Sequence, residues 1–339
     1  MKQTDPVSLI ITVKNEALNI LALLKSIQSQ TLGPNQVVIV DGGSSDQTVA
    51  IIKSFIKQQS SLKSKSSQPK YQLLIKELNR SQGRNLAIER ADHELIAMTD
   101  AGCTLDKNWL KELIETKQKM GTPVVAGYYQ GLAKSPFTQA VIPYFLVMPG
   151  RVNPQNFLPA TRSMLIEKSL WRAVGGFRED LDVSEDYDFS QRVKSYLDSK
   201  SESRTKSKAK FKIAFTAQAI VIWQPPDNLV HFLATVVNMA VGDARANLIR
   251  TKVKLIFGRY LLAFSLLSLW LETCQSYFGI SLMLATFVYI SWSIFKNWRW
   301  AQTGWYWLPV LQITSDIMIM GGTVLGWLDS RQNRKKVEI

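Results

Sequence analysis

Two short acidic clusters in this chain have the residue types and spacing to do chemistry. Val37-Val38-Ile39-Val40-Asp41 runs into Gly42-Gly43-Ser44-Ser45-Asp46, and Leu95-Ile96-Ala97-Met98-Thr99-Asp100 runs into Ala101-Gly102. Each is an apolar run ending in an acid, as a buried parallel strand reads, and α/β folds hold ligands at the carboxyl ends of such strands. Two carboxylates at two strand ends suit a diphosphate and its cation. A third acidic pair, Glu185-Asp186, closes the polar run 178–184 and precedes Tyr187-Asp188-Phe189. Neighbouring carboxylates repel, which lifts one pKa toward the range where a general base works.

The elements that must position these groups read as an α/β domain. The glycines after Asp41 allow close backbone approach, and Ser44, Ser45 or Asp46 is placed to cap a helix beginning near Thr48. Asp106 reads as the start of a further helix at Lys107-Asn108-Trp109-Leu110.

Five segments, in order over roughly residues 5–225, resemble the family 2 glycosyltransferases, inverting enzymes of the GT-A fold that use nucleotide-sugar donors. They are Val7-Ser8-Leu9-Ile10-Ile11-Thr12-Val13-Lys14-Asn15-Glu16, the Asp41 segment through Thr48, Gly83-Arg84-Asn85, Thr99-Asp100-Ala101-Gly102, and Gly175-Gly176-Phe177 followed by Glu185-Asp186. The resemblance implies a GT-A nucleotide-sugar-binding domain with a mostly parallel sheet. It implies that Asp41 accepts hydrogen bonds from the nucleobase, that Thr12 and Glu16 frame the base, and that Arg84 contacts the nucleotide or its phosphates. Asp100 is the expected metal ligand. Inverting transfer needs one carboxylate to take the acceptor's hydroxyl proton; by position that base is Asp186, with Glu185 beside it. Arg162 and Trp223 fall on family-like positions lining the acceptor side.

In one place the sequence departs from the family. Gly102 stands where the second Asp of Asp-x-Asp normally ligates the divalent cation. Mg²⁺ or Mn²⁺ remains the expected cofactor, since one or two carboxylates with phosphate oxygens and water suffice, but metal dependence is left open.

Composition frames the rest. The 339 residues carry 41 Lys and Arg against 27 Asp and Glu, a formal charge of +14. Part of the excess lies in two Ser/Lys-rich stretches, at about 57–70 and 198–210, which read as flexible loops. No stacking aromatics interleave them, which disfavours nucleic acid as a partner; anionic lipid head groups fit better. The two cysteines, Cys103 and Cys274, fit neither a disulfide framework nor a zinc site. Met1-Lys2-Gln3-Thr4-Asp5-Pro6 has no apolar core, so no cleaved signal peptide is expected and the catalytic part should be cytoplasmic.

The last third reads as membrane-embedded. Residues 277–295 carry no charge, 255–271 are broken only by Arg259, and 305–328 only by Asp316 and Gly321-Gly322. Segments of this length suit a bilayer core, and tryptophans such as Trp270, Trp292 and Trp327 lie near their ends as interfacial anchors do. Lys252, Lys254, Lys296 and Arg299 favour a hairpin with cytoplasmic ends. A third crossing would put Arg331, Arg334, Lys335 and Lys336 outside, so the third segment either crosses against that bias or lies partly in the interface and returns. The expected organisation is a cytoplasmic GT-A domain (1–228), an amphipathic connecting helix (229–252), a membrane domain of two or three spans (253–328) and a basic tail (329–339). A chain cut after about Thr251 should leave a soluble donor-binding domain.

No Gln-x-x-Arg-Trp segment follows the acidic pair, and Gly242-Asp243-Ala244-Arg245-Ala246 resembles non-processive members. The reading is a multi-pass inner-membrane glycosyltransferase that moves a sugar to a membrane-associated acceptor, a lipid by preference. Its rivals are a processive polysaccharide synthase and a non-catalytic nucleotide-sugar-binding scaffold.

Overall fold

A computed structural model describes residues 5–61, 68–202 and 212–337. It divides the chain into two compact units, one running to Gly131 and resuming over Pro149–Gln224, the other made of Leu132–Met148 and everything from Pro225 onward.

The first unit is built in chain order from β1 (Val7–Val13), α1 (Ile20–Gln28), β2 (Gln36–Asp41), α2 (Thr48–Ser61), β3 (Lys70–Ile75), α3 (Arg80–Glu89), β4 (Leu95–Asp100), β5 (Cys103–Leu105), α4 (Trp109–Met120) and β6 (Val124–Gly131). After α5 (Pro136–Phe145), which belongs to the other unit, come β7 (Met164–Glu167), α6 (Lys168–Ala173), α7 (Glu185–Glu202) and β8 (Ala214–Trp223). The strands form one mixed sheet in the order β3-β2-β1-β4-β7-β6-β8-β5. Its first four strands are parallel; β7 runs antiparallel between β4 and β6, and β5 antiparallel to β8.

Alternation along each strand feeds two apolar layers. Leu9, Ile11, Val37 and Ile39 pack with Leu23, Ile27, Phe55 and Trp109 from α1, α2 and α4. Ile10, Val38 and Val40 pack with Ile88, Trp171, Phe189 and Val193 from α3, α6 and α7. A sheet covered on both faces explains the unbroken apolar runs. Register then fixes the chemistry: Val13 pairs with Asp41, and Thr12 pairs with Asp100. The two acids therefore end strands on either side of β1, about 10 Å apart by strand spacing.

Parts of both basic stretches lie in regular elements: α2 continues to Ser61 and α7 to Glu202, and β3 starts at Lys70. Their residues 62–67 and 203–210 lie outside the described residues.

The second unit holds α5, α8 (Leu229–Arg245), α9 (Thr251–Thr273), α10 (Ser276–Asn297) and α11 (Leu308–Val337). Three segments, Thr251–Thr273, Ser276–Trp300 and Trp305–Arg331, are long and apolar enough to cross a membrane. The third is not a short re-entrant turn: Gly321-Gly322 leave α11 unbroken, and its 30 residues span about 45 Å. The glycines have a packing role. A Cβ at Gly322 would fall 2.9 Å from the Val237 carbonyl, and one at Gly326 2.5 Å from the Val241 carbonyl. The two glycines, four residues apart, let α8 and α11 touch backbone to backbone, as small residues do between membrane helices.

Two boundaries differ from expectation. The connecting helix stops at Arg245, and Lys252 already belongs to α9. Residues 132–148 also leave the first unit. α5 is apolar, and its Phe137, Ala140 and Val141 are buried with Phe232, Val236, Ala301, Leu308 and Leu311. A cut after Thr251 would remove Ala301, Leu308 and Leu311 and strip that core, so the expected soluble fragment does not fit this packing.

Candidate active site

β1 and β2 end in loops that are laced together. Asn15 takes a left-handed backbone (φ 56°); its N–H donates to Ser44 Oγ and its side-chain oxygen accepts from the Ser45 N–H. The Glu16 N–H donates to Thr48 Oγ1, and Asp46 accepts from the Thr48 and Ala17 N–H groups. Of the three capping candidates, Asp46 thus opens α2. Asp41 is fully buried. Its carboxylate accepts from the Gly43 and Ser44 N–H groups at 3.1 and 2.9 Å and from Ser44 Oγ at 2.6 Å. It holds this turn together, and a nucleobase would have to use the lone pairs these bonds leave.

α3 explains the Gly83-Arg84-Asn85 motif residue by residue. A Cβ at Gly83 would stand 3.1 Å from Thr12 Cγ2, so glycine lets α3 sit down on β1. This places Thr12 beneath α3. The Asn85 side chain accepts from the Phe177 N–H and donates to the Phe177 carbonyl, at 2.9 and 2.8 Å, pinning Gly175-Gly176-Phe177. Arg84, only 4% exposed, sends Nη2 to Asp100 Oδ1 at 2.9 Å and Nη1 to Glu185 Oε1. Both terminal nitrogens are committed to carboxylates, so the guanidinium acts as a strut between the end of β4 and the start of α7. The sequence reading puts Arg84 at the nucleotide or its phosphates; its two terminal nitrogens here face Asp100 and Glu185.

Electrostatics follow from that strut. Burial opposes charge on Asp100, but Arg84, Arg162 and Arg80 outweigh it and hold the carboxyl below its usual range. Glu185 goes the other way: burial and neighbouring Asp186 raise its pKa despite Arg84. Burial disfavours the Arg84 cation, yet Glu185, Asp100 and Asp186 raise its pKa. Glu185 thus faces inward as the partner of Arg84. Asp186, half-buried in the first turn of α7, lies within electrostatic reach of Arg84 and Tyr129.

Arg162 and Trp223 do meet. The Arg162 guanidinium lies between two rings, 5.1 Å from the Tyr129 centroid and 5.2 Å from that of Trp223, with Nε 4.0 Å from Asp100. Its Nε and Nη1 are buried and find no hydrogen-bond partner among the described residues. Two unsatisfied N–H donors beside an acid suit a ligand oxyanion. Tyr129 and Thr161, whose hydroxyl donates to Asp100 at 3.4 Å, were missed in the sequence. Tyr129 sits in an ordinary apolar run, and Thr161 carries no motif.

Among the described residues no group of three or more His, Cys, Asp or Glu is arranged to hold a metal ion. The space left by Gly102 is nevertheless not empty of acid. A Cβ there would stand 3.9 and 4.0 Å from the two carboxylate oxygens of Glu16. Burial and the charge of Asp100 raise the Glu16 pKa against a hydrogen bond from Asn19. Asp100 and Glu16 are therefore two carboxylates flanking the gap, a donor set that fits a cation completed by ligand phosphates.

Residues 8–170 match the family model described as glycosyl transferase family 2. Glycosyltransferase AglE of Haloferax volcanii is 32% identical over 132 residues, an alignment taking in 38% of this chain and 40% of that protein. The solved mannosyltransferase PcManGT of Pyrobaculum calidifontis, in complex with GDP-Man and Mn²⁺, superposes with a TM-score of 0.55 at 14% identity. That superposition covers 94% of this chain and 88% of the other, and it establishes a common fold.

Proposed function

We propose, for a chain that residues 8–170 make a member of glycosyl transferase family 2, inverting transfer of a sugar from a nucleotide-sugar donor to a lipid-borne acceptor. The observation that carries this reading is the Arg84 strut. By tying Asp100 at the end of β4 to Glu185 at the start of α7, it sets Asp186, the next residue, beside the donor-side strand ends. The fold that holds GDP-Man and Mn²⁺ in the archaeal mannosyltransferase is the fold of this chain, which supports a nucleoside-diphosphate sugar as donor.

In this mechanism Asp186 takes the proton of the acceptor hydroxyl as its oxygen attacks the anomeric carbon. The bond from that carbon to the diphosphate breaks, and its electron pair leaves with the phosphate. Arg162 turns its unpartnered N–H groups to the departing oxyanion, while Tyr129 and Trp223 hold the guanidinium in place and wall the acceptor side. Glu185 positions Arg84 and takes no proton from substrate. Asp100 and Glu16 would hold a divalent cation, which when bound neutralises charge on the diphosphate. Asp41, Thr12 and the laced loops frame the nucleoside.

The three helices, long and apolar enough to cross a bilayer, support association with a membrane. Lys252, Lys254, Lys296 and Arg299 at one end of the α9–α10 hairpin support a cytoplasmic catalytic unit at an inner membrane, and the unbroken α11 supports a third crossing.

The test uses full-length protein in detergent, UDP- and GDP-sugars, and lipid extract from the source membrane. A lipid should gain the mass of one sugar. Asp186→Asn should leave donor binding nearly unchanged and lower turnover by about 10²-fold or more. Near-normal turnover in that variant would move the base elsewhere. Transfer to soluble acceptors alone would overturn the lipid part.

A further inference from the structure

Within the second unit, residues of α8, α9, α10 and α11 line a cavity of about 430 Å³. Its charged lining is Arg250, Lys252, Arg259 and Lys296 against Asp243 and Asp316. Each carboxylate is already held by an arginine: Asp243 by Arg250 at 2.8 Å and Asp316 by Arg259 at 2.5 Å. Asp316, 1% exposed in an otherwise apolar helix, also accepts hydrogen bonds from Tyr289 Oη and, at 3.0 Å, from Gln312 Nε2. Buried ionisable groups in a membrane helix are costly and mark function by default. The network aims Arg259 at the cavity rather than at lipid, and its buried Nε has no hydrogen-bond partner among the described residues.

By count the lining carries two more positive charges than negative ones, and Lys296 among them also donates to Gln312 Oε1 at 3.3 Å. Lys252 opens α9 and Lys296 closes α10, so both stand at one end of that hairpin, with Arg259 about 10 Å deeper by helical rise. Apolar side chains, Leu255, Ile256 and Ile319 among them, complete the wall. A ligand with a charge near −2 at one end and a hydrocarbon chain at the other satisfies both halves, and a phosphate monoester carries about −1.5 to −2 at neutral pH.

We propose that this cavity binds the phosphate head of a lipid phosphate, with its chain against Leu255, Ile256 and Ile319. The proposal rests on the reading of this unit as membrane-embedded and of the acceptor as lipid-borne. It narrows that acceptor to phosphate-linked lipids whose head also carries a hydroxyl.

The test is lipid binding to full-length protein in neutral detergent, by native mass spectrometry. The probes are dioleoyl phosphatidic acid, dioleoylglycerol with the same chains and no phosphate, and inorganic phosphate. Phosphatidic acid should be retained over dioleoylglycerol. Lys252→Gln/Lys296→Gln, which leaves both arginine–carboxylate pairs in place, should weaken phosphatidic acid by at least tenfold while donor-nucleotide binding, a check on folding, is unchanged. Equal retention of dioleoylglycerol, or a double variant that holds phosphatidic acid like wild type, overturns the proposal. Inorganic phosphate that binds as well as phosphatidic acid and responds to the same lysines also overturns it, in favour of a soluble-anion site. Sugar transfer by wild type is scored separately. An active enzyme whose lipid binding ignores the lysines sinks the cavity alone, and an inactive one that binds through them sinks only the transfer reading.

Discussion

Arg84→Met isolates the strut on which the catalytic reading depends. The substitution keeps most of the side-chain volume and removes the charge, leaving Glu185, 3% exposed on its side chain, with only the more distant Arg80 at 3.8 Å. Removing one member of a buried ion pair typically costs about 3–5 kcal/mol, because the other charge stays behind. For a unit of this size 1 kcal/mol corresponds to roughly 2–4 °C, so the transition of the first unit should fall by roughly 6–20 °C near pH 7.5. Calorimetry of the full-length protein in detergent reads this. The pH dependence gives a second, sharper check. The folded pKa of Glu185 is already raised, so the stability it contributes is present below its unfolded value and is lost as pH rises through its folded one. Without Arg84, the strongest influence lowering it, that folded value climbs further. The deficit of the variant should therefore shrink on acidification from pH 7.5 to 5.5. Asp100 has the opposite sign: with a depressed pKa its stability is full above its unfolded value and is lost as pH falls through its folded one, a window below the one scanned. Arg84→Lys should fall between, keeping a charge but not the fork that reaches two carboxylates. A loss under about 3 °C, or one that is the same at both pH values, would refute the strut.

Glu16→Gln should weaken Mn²⁺ binding to the nucleotide-loaded protein by about tenfold in calorimetry, and Gly102→Asp in the same chain should restore it by returning a carboxylate to the gap; Mn²⁺ affinity unmoved by Glu16→Gln would remove Glu16 from the cation site. A chain ending at Thr251 should aggregate on size exclusion in detergent-free buffer, since it exposes Phe137, Phe232 and Val236 at about 1.5–3 kcal/mol each. A chain ending at Gln224, with 132–148 replaced by a short polar linker, should stay soluble and bind donor nucleotide, and a soluble, monodisperse Thr251 fragment would show that α5 and α8 do not need α11.

What the sequence made legible was whatever depends on local pattern. Runs such as Val37-Val38-Ile39-Val40 announce strands covered on both faces, and the acid after each run marks the ligand edge, so Asp41 and Asp100 were legible as strand-end acids, while their register across β1 came only with the sheet. Apolar length alone likewise marked the three long helices. Partnerships made across the fold were not legible. Arg84 lies 101 residues from Glu185, and nothing local distinguishes an arginine that binds phosphate from one that braces two carboxylates. Gly102 read as a loss, because Glu16, whose carboxylate borders that gap, arrives from another loop. Residues 132–148 read as part of the first unit, because an apolar ten-residue helix looks the same wherever its partners lie. Asp316 shows both sides of this limit. Its place in an apolar segment was visible from sequence, but its partners come from two other helices, Arg259 from α9 and Tyr289 from α10. A charge that a bilayer would otherwise reject persists only if something requires it. Here that requirement is to hold a guanidinium at a cavity whose remaining charge is positive, which is why the search for this protein's acceptor should start with lipids that carry a phosphate.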